Sequence, residues 1–249
     1  MLDFRRFEAL TFDCYGTLID WESGLIPILE RWAERSGVKA RGDALLEAFA
    51  KAEMQTEAEH PSMLYPDLLR VVMTRIADCF GVAHDYAAAT ELAESVGNWP
   101  AFPDSADALR SLKRRYKLAI LSNVDRASFL RSNERLSVDF DLIVTAQDVG
   151  SYKPNTRNFE TVLGGLQAIG VVNDRVLHIA QSLYHDHVPA KKLGLASVWI
   201  DRRHARSGHG ATVPPDASVI PDAQYPSMRD FGEAVEKAFA RKTSREEYR

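Results

Sequence analysis

Ala9-Leu10-Thr11-Phe12-Asp13-Cys14-Tyr15-Gly16-Thr17-Leu18-Ile19-Asp20 is the stretch on which the fold turns. Its first four residues are apolar or β-branched, which favours a buried strand, and Asp13 stands where that strand ends. Cys14 to Thr17 then reads as a tight loop, because a glycine sits within it. An aspartate after an apolar run is more often a turn or cap residue than a reactive one. The meaning of Asp13 therefore depends on what the rest of the chain brings to the same edge.

Outward from this stretch the pattern becomes helical, from Trp21 to about Asn98. Leu25, Ile28, Leu29 and Trp32 recur at helix spacing, as do Leu45, Leu46 and Phe49, and then Leu68, Leu69, Val72, Met73 and Ile76. Ser36-Gly37, Arg41-Gly42-Asp43, His60-Pro61-Ser62 and Gly81 interrupt the period, so the block divides into several helices. After Trp99-Pro100 the rhythm is helix and strand in alternation: a helix over 105–116, a strand over 117–121, and a loop at Ser122-Asn123. Strands over 141–145, 175–180 and 196–200 follow, with helices over 156–165 and 187–193 between them, a loop over 203–217 and a last helix over 228–241. Such alternation predicts an α/β fold whose parallel sheet is built of βαβ units, with ligands bound at the strands' carboxyl ends. The expected division is a core domain of 1–20 and 99–249 and a helical cap of 21–98, inserted after the first strand and covering the active-site edge.

Composition narrows the function. A length of 249 residues suits one core with an insert. Lysine and arginine number 31 against 35 aspartates and glutamates, a formal charge of −4 that argues against a nucleic-acid partner. A 45% hydrophobic and 27% charged composition excludes a disordered chain. No run approaches the roughly 18 apolar residues that cross a bilayer. The start carries Asp3, Arg5, Arg6 and Glu8, unlike a secretory leader, so the reading is cytoplasmic with no membrane partner. Cys14 and Cys79 form neither a disulfide framework nor a CxxC pair.

Polar residues gather at the strand ends in four segments: Asp13 to Thr17, Ser122-Asn123, Lys153-Pro154, and Gln181 to Asp186. A carboxylate held beside an ammonium and hydroxyl donors stays ionised and oriented, which makes Asp13 a candidate nucleophile. Lys153 supplies the opposing charge, Thr17 and Ser122 the hydroxyl donors, and Asp186 a group to orient the water that cleaves an ester intermediate. In these segments, and in their order, the sequence resembles the haloacid dehalogenase superfamily. Asp13-Cys14-Tyr15-Gly16-Thr17-Leu18 matches its first motif, Ser122-Asn123 its second, Lys153-Pro154 its third and Ala180-Gln181-Ser182-Leu183-Tyr184-His185-Asp186 its fourth. The resemblance covers nearly the whole chain. It implies a Rossmann-like doubly wound parallel sheet with a helical cap after the first strand.

The branch is read from single positions. Phosphatases of the superfamily carry a second aspartate two residues after the nucleophile, to protonate the leaving alcohol, and here that residue is Tyr15. Halide leaves without a proton, so Asp-x-Tyr-Gly-Thr resembles the type II L-2-haloacid dehalogenase branch. The resemblance implies a metal-independent hydrolysis of short 2-haloacids through an aspartyl ester, a small carboxylate as ligand, no cofactor, and dimers in some relatives, which leaves a homodimer open. Its alternative is a magnesium-dependent phosphatase with the ion held by Asp13, Gln181 and Asp186, although Gln181 stands where the phosphatases have an acid. Tyr15, Trp21 and Asn123 are the expected substrate-binding residues, Asn123 and Trp21 as halide donors. Three positions depart from the dehalogenase pattern: Ala50 for its cap arginine, Phe159 for a tyrosine and Leu183 for an asparagine. Glu57-Ala58-Glu59-His60 reads as a solvated face or cap loop, and the histidines show no metal-ligand spacing.

Overall fold

A computed structural model describes residues 2–206, 208–215 and 218–246, so positions 207, 216 and 217 of the expected loop lie outside the described residues. Six strands form one sheet in the order β3-β2-β1-β4-β5-β6, with every neighbouring pair parallel. They are β1 Ala9–Phe12, β2 Lys117–Ser122, β3 Leu142–Thr145, β4 Val176–Ala180, β5 Ala196–Ile200 and β6 Ala223–Tyr225. All of β1 and β4 is buried, as is β2 after Lys117. Such continuous burial is what a parallel sheet covered on both faces requires.

β1 occupies the middle of the sheet, with Phe12 opposite Ile120 on one side and Ile179 on the other. The chain winds outward from β1 through β2 to β3, then returns to β4 on the other flank. Neighbouring connections thus diverge at the carboxyl ends of β1 and β4, and a crevice opens there. Asp13 follows β1 directly and Gln181 follows β4 directly.

After β1 the chain first forms four helices, α1 Trp21–Arg35, α2 Asp43–Glu59, α3 Tyr65–Cys79 and α4 Tyr86–Ser95. Their breaks fall where glycine and proline interrupt the period. Asp20 starts α1 by accepting from Ser23 N at 3.2 Å, and Gly24 lets the helix approach Trp99, whose ring a Cβ there would overlap at 2.1 Å. The remaining helices are α5 Ser105–Lys113, α6 Arg126–Leu136, α7 Ala146–Val149, α8 Thr156–Ala168, α9 Val188–Lys192 and α10 Met228–Glu246. One apolar cluster joins β1, β4 and β5 to α1–α4, α5 and α10, and a second packs α8 against the opposite face of the sheet.

Three labelled elements went unread in the sequence: α6, β6 and the single turn of α7. α6 carries few apolar residues, with Leu130 exposed and Phe129 and Leu136 buried, so its helical period is faint. β6 is three residues long and follows a loop rather than a helix. The helix at 105–116 also ends early, at Lys113, where the main chain turns into β2.

Candidate active site

Asp13 leaves the central strand into a loop whose shape two features fix. Gly16 has φ +90°, and a Cβ there would lie 3.2 Å from both Gln181 Oε1 and Trp21 Nε1, so backbone and space alike call for glycine. Beyond it, Arg202 donates from Nε and Nη2 to the Thr17 carbonyl at 3.1 and 2.8 Å. That guanidinium is itself gripped by both oxygens of Asp104, each at 2.9 Å. The loop carrying Asp13 is therefore clamped by the segment that follows β5.

Two donors hold the Asp13 carboxylate. Thr17 Oγ1 donates to Oδ2 at 2.6 Å, and Lys153 Nζ donates to Oδ1 at 2.9 Å. Lys153 is 2% exposed, and its ammonium also reaches Leu121 O at 3.0 Å and Asp186 Oδ1 at 2.7 Å. All three of its hydrogens are thus committed. Thr17 Oγ1 in turn accepts from Gln181 N at 2.9 Å, tying the β1 loop to the end of β4. Asp186 sits in a π-helical turn, Leu183–His187, whose preceding Ser182 side chain accepts from His185 N.

Beneath Asp186 lies a group the sequence did not single out for this role. His178, inside β4, meets Asp186 Oδ1 through Nε2 at 3.0 Å and Thr11 Oγ1 through Nδ1 at 2.9 Å. Thr11 and His178 are register partners on adjacent strands, which is why their side chains meet. Phe159 fills the space beside that imidazole, edge to face at 4.9 Å.

The charges respond to this packing. Burial pushes the Asp13 carboxyl above its ordinary value, against the pull of the Lys153 ammonium and the Thr17 hydroxyl. Burial also opposes the charge of Asp186, but the Lys153 ammonium and the His178 hydrogen bond outweigh it and hold that carboxyl well below the usual range. Lys153 stays charged for the same reason, since its two carboxylates overcome the cost of burial.

Other expected site residues sit close by with different duties. Ser122 Oγ is buried and has no hydrogen-bond partner among the described residues, so it does not bond to Asp13. Tyr15 lines the cleft, but its hydroxyl is bonded to Ser132 Oγ at 2.8 Å. Asn123 also lines it, with Nδ2 donating to Glu57 Oε1 at 3.0 Å and to Lys153 O at 3.1 Å, which uses both hydrogens. Trp21 lines the cleft, and among the described residues its indole N–H has no hydrogen-bond partner. Gln181 accepts from Thr212 Oγ1 at 3.1 Å through Oε1. A magnesium site of Asp13, Gln181 and Asp186 would have to draw on Asp13 Oδ2, which accepts from Thr17, on Asp186 Oδ2 and on the engaged amide of Gln181, because Lys153 holds Oδ1 of both acids. Among the described residues no group of three or more His, Cys, Asp or Glu side chains is arranged to hold a metal ion.

Compared with known proteins, residues 7–180 match the sequence pattern of the haloacid dehalogenase-like hydrolases. The chain belongs to that family. Among relatives, it is 26% identical over 205 residues to haloacetate dehalogenase H-2 of Moraxella sp. (strain B), covering 80% of this chain and 87% of that one. It is 23% identical over 211 residues to an (S)-2-haloacid dehalogenase of Pseudomonas putida, with the same coverage. The solved L-2-haloacid dehalogenase of Xanthobacter autotrophicus superposes with a TM-score of 0.72 at 18% identity, over 92% of this chain and 98% of that one. A HAD-hydrolase from Bacillus subtilis bound to magnesium gives the same TM-score of 0.72 at 16% identity, over 93% and 99%. The fold alone therefore does not separate a dehalogenase from a magnesium-binding relative; the side chains must.

For a haloacid dehalogenase-like hydrolase, the helical side of this cleft is unexpected. Glu53 and Glu57, one turn apart on α2, line the same cleft as Asp13 and Lys153 and are only 4% and 6% exposed. Glu57 is thus no part of a solvated face. Tyr65 of α3 donates to Glu53 Oε1 at 2.5 Å, and His185 Nε2 lies 3.5 Å from Glu57 Oε2. Ala50 is buried in α2 and Lys51 is exposed, so neither offers the cleft a positive charge. No periodicity marks Glu53 and Glu57 as functional; an apolar helix face that carries two acids at i and i+4 was the only available signal.

Proposed function

We propose that the chain is a metal-independent hydrolase that displaces halide from a short organic halide, with the halogen on the carbon next to a carbonyl group. The observation that carries this reading is the placement of Lys153 Nζ between Asp13 Oδ1 and Asp186 Oδ1, with Thr17 on the other Asp13 oxygen. The Lys153 ammonium at that point counters the burial that raises the Asp13 carboxyl, aims that carboxylate and places positive charge beside both acids. Relatives named for haloacetate and (S)-2-haloacids supply the substrate class.

In the first step an Asp13 oxygen attacks the carbon in line, the new carbon–oxygen bond forms, and halide departs with the bonding electrons. No proton is needed, which agrees with Tyr15 in place of a general acid. With the Asn123 amide hydrogens already engaged, we assign the departing halide to the Trp21 indole N–H. In the second step water adds to the Asp13 ester carbonyl and the alcohol leaves. Asp186 Oδ2, buried and without a partner among the described residues, is the acceptor that orients that water. Since its carboxyl is held so acidic, Asp186 positions the water rather than storing its proton. The net change is halide plus alcohol plus one proton from substrate and water.

A single turnover in oxygen-labelled water tests the scheme: the label is expected in the Asp13 carboxylate before it appears in product. Direct entry of the label into product would overturn it. Phosphate release that depends on magnesium, from a chain that releases no halide, would favour the phosphatase reading instead.

A further inference from the structure

A short haloacid brings a carboxylate into the cleft, and the two steps above give that carboxylate no partner. Among the described residues that line the cleft, Lys153 is the only lysine or arginine, and its hydrogens are committed to Asp13, Leu121 and Asp186. Asn123 has both amide hydrogens engaged, and the Trp21 indole receives the halide. Another donor is needed, and the helical side holds one.

Glu53 is 4% exposed, lines the cleft, and accepts from the Tyr65 hydroxyl through Oε1 at 2.5 Å. Among the described residues its second oxygen, Oε2, has no hydrogen-bond partner. Glu57, one turn later on α2, is engaged differently: Asn123 Nδ2 donates to its Oε1 at 3.0 Å, and His185 Nε2 lies 3.5 Å from its Oε2. Two buried carboxylates one turn apart carry two charges only at a large cost, and the one without a nitrogen partner is Glu53. Burial first, and then the Glu57 charge, push the Glu53 carboxyl well above its ordinary value. Burial likewise keeps the Tyr65 hydroxyl protonated, so it stays a donor to Oε1. The proton of the neutral Glu53 acid then sits on Oε2, which makes that oxygen a hydrogen-bond donor. Buried carboxylic acids kept neutral so that they can donate occur in enzyme sites.

A second observation sets this donor beside the reaction. Phe49 precedes Glu53 by one turn on α2 and packs edge to face on Trp21, with ring centroids 5.8 Å apart. The i, i+4 spacing puts Phe49 and Glu53 on one helix face, so the acid and the indole that receives halide belong to one wall. The cavity beside that wall measures about 40 Å³. By volume it holds about three water-sized groups, which suits a short acid and little more.

We propose that Glu53 binds the substrate carboxylate, donating from Oε2 to one of its oxygens while Tyr65 holds Oε1, and so selects short anionic haloacids. The inference rests on the Asp13 hydrolase reading for its substrate. An O–H donated to a carboxylate makes a short, strong hydrogen bond, and the proton is shared rather than consumed. Glu53 grips the end of the substrate that does not react. Its contact is therefore made alike before and during the attack by Asp13, and its worth shows in KM.

The first test follows chloride release from chloroacetate by the purified full chain, with the Asp13→Asn variant serving to subtract alkylation of the exposed Cys79. Glu53→Met keeps an unbranched side chain and removes the donor, so KM should rise about 10- to 100-fold, with a much smaller change in kcat. Glu53→Gln keeps an acceptor for Tyr65 and supplies an amide N–H, so it should recover most of that loss. A Glu53→Gln variant no better than Glu53→Met, or a loss that falls on kcat rather than KM, would overturn the proposal.

A binding measurement separates this from failure of the hydrolase reading. Glycolate and glycolamide differ in the charge of one end and carry no leaving group. Calorimetry on the wild type should show glycolate the tighter by about tenfold or more, and Glu53→Met should abolish the difference. The wild-type comparison needs no variant, so it decides even where Glu53→Met does not fold. Glycolate binding that depends on Glu53, in a chain that releases no halide, would support the acid site and reject the hydrolase reading. Halide release with an unchanged KM in Glu53→Met, or glycolamide bound as tightly as glycolate, would reject the acid site and leave the hydrolase reading standing.

Discussion

The two sides of the cleft are built by different rules. The floor is set by main chain: Asp13, Lys153, Gln181 and Asp186 follow strand ends or tight turns, and the sheet register brings them within 3.0 Å of one another's partners. The helical side is set by packing, where Glu53, Glu57 and Tyr65 reach the cleft only because α2 and α3 turn the faces that carry them inward. Strand-end chemistry is therefore constrained by the fold, whereas helix-face chemistry is free to vary. On this comparison the floor should govern the rate and the helical side the choice of substrate.

The largest break in the comparison comes from the nucleophile. Asp13→Asn should lower turnover by roughly four orders of magnitude or more, since removal of a group that forms the covalent intermediate leaves only binding and orientation. The variant should melt no lower than wild type in calorimetry. Burial raises the Asp13 pKa, so its ionised form costs folding energy that the neutral amide does not. A large fall in melting temperature would mean that the Lys153 pair is a net structural asset.

Lys153→Met comes next, with a loss of about 3–5 kcal/mol in denaturant unfolding, because Asp13 and Asp186 would remain buried without their cation. The pH dependence follows from the same three groups. Turnover needs Asp13 ionised, and its pKa lies above the ordinary 3.8, so the acid limb of kcat/KM should sit above that value. Asp186 has a lowered folded pKa, so the stability it contributes is present above its unfolded value and is lost as the pH falls. An acid limb at or below 3.8 would contradict the direction assigned to Asp13.

The same contrast explains what the sequence disclosed. The floor was legible because strand-ending motifs fix residue type, order and spacing together: Asp13, Thr17, Lys153 and Asp186 were named from the chain and meet in one network. His178 was seen only as a strand residue without metal spacing, since its partnership with Thr11 depends on register across β1 and β4. Glu57 was read as solvated because it neighbours Glu59 and His60, which are exposed; one helical turn decides the difference. Asn123 was expected to receive halide, and its hydrogen bonds to Glu57 and Lys153 O could not be foreseen without knowing that α2 faces the site.

A smaller effect is expected at His178. Replacing it by phenylalanine keeps the ring packing against Phe159 but leaves Thr11 and one contact of Asp186 unsatisfied, a cost of about 1–3 kcal/mol in unfolding. As a positioning residue it acts through Asp186, so the second step should slow more than the first. Rapid quench should then show a burst of halide, with the Asp13 ester accumulating. Equal slowing of both steps would reduce His178 to a packing role.

The smallest change, Tyr65→Phe, tests the helical side most cleanly. It removes one hydroxyl, the donor to Glu53 Oε1, and keeps the ring that packs α3 against α2. The expected loss of stability is about 1 kcal/mol, the net worth of a typical hydrogen bond. If the floor alone carries the chemistry, kcat on a short haloacid should stay within about twofold, while KM shifts as Glu53 loses its anchor. A fall in kcat equal to that of His178→Phe would make the helical side part of the catalytic machinery, and the division between rate-setting strand ends and substrate-choosing helix faces would then fail for this chain.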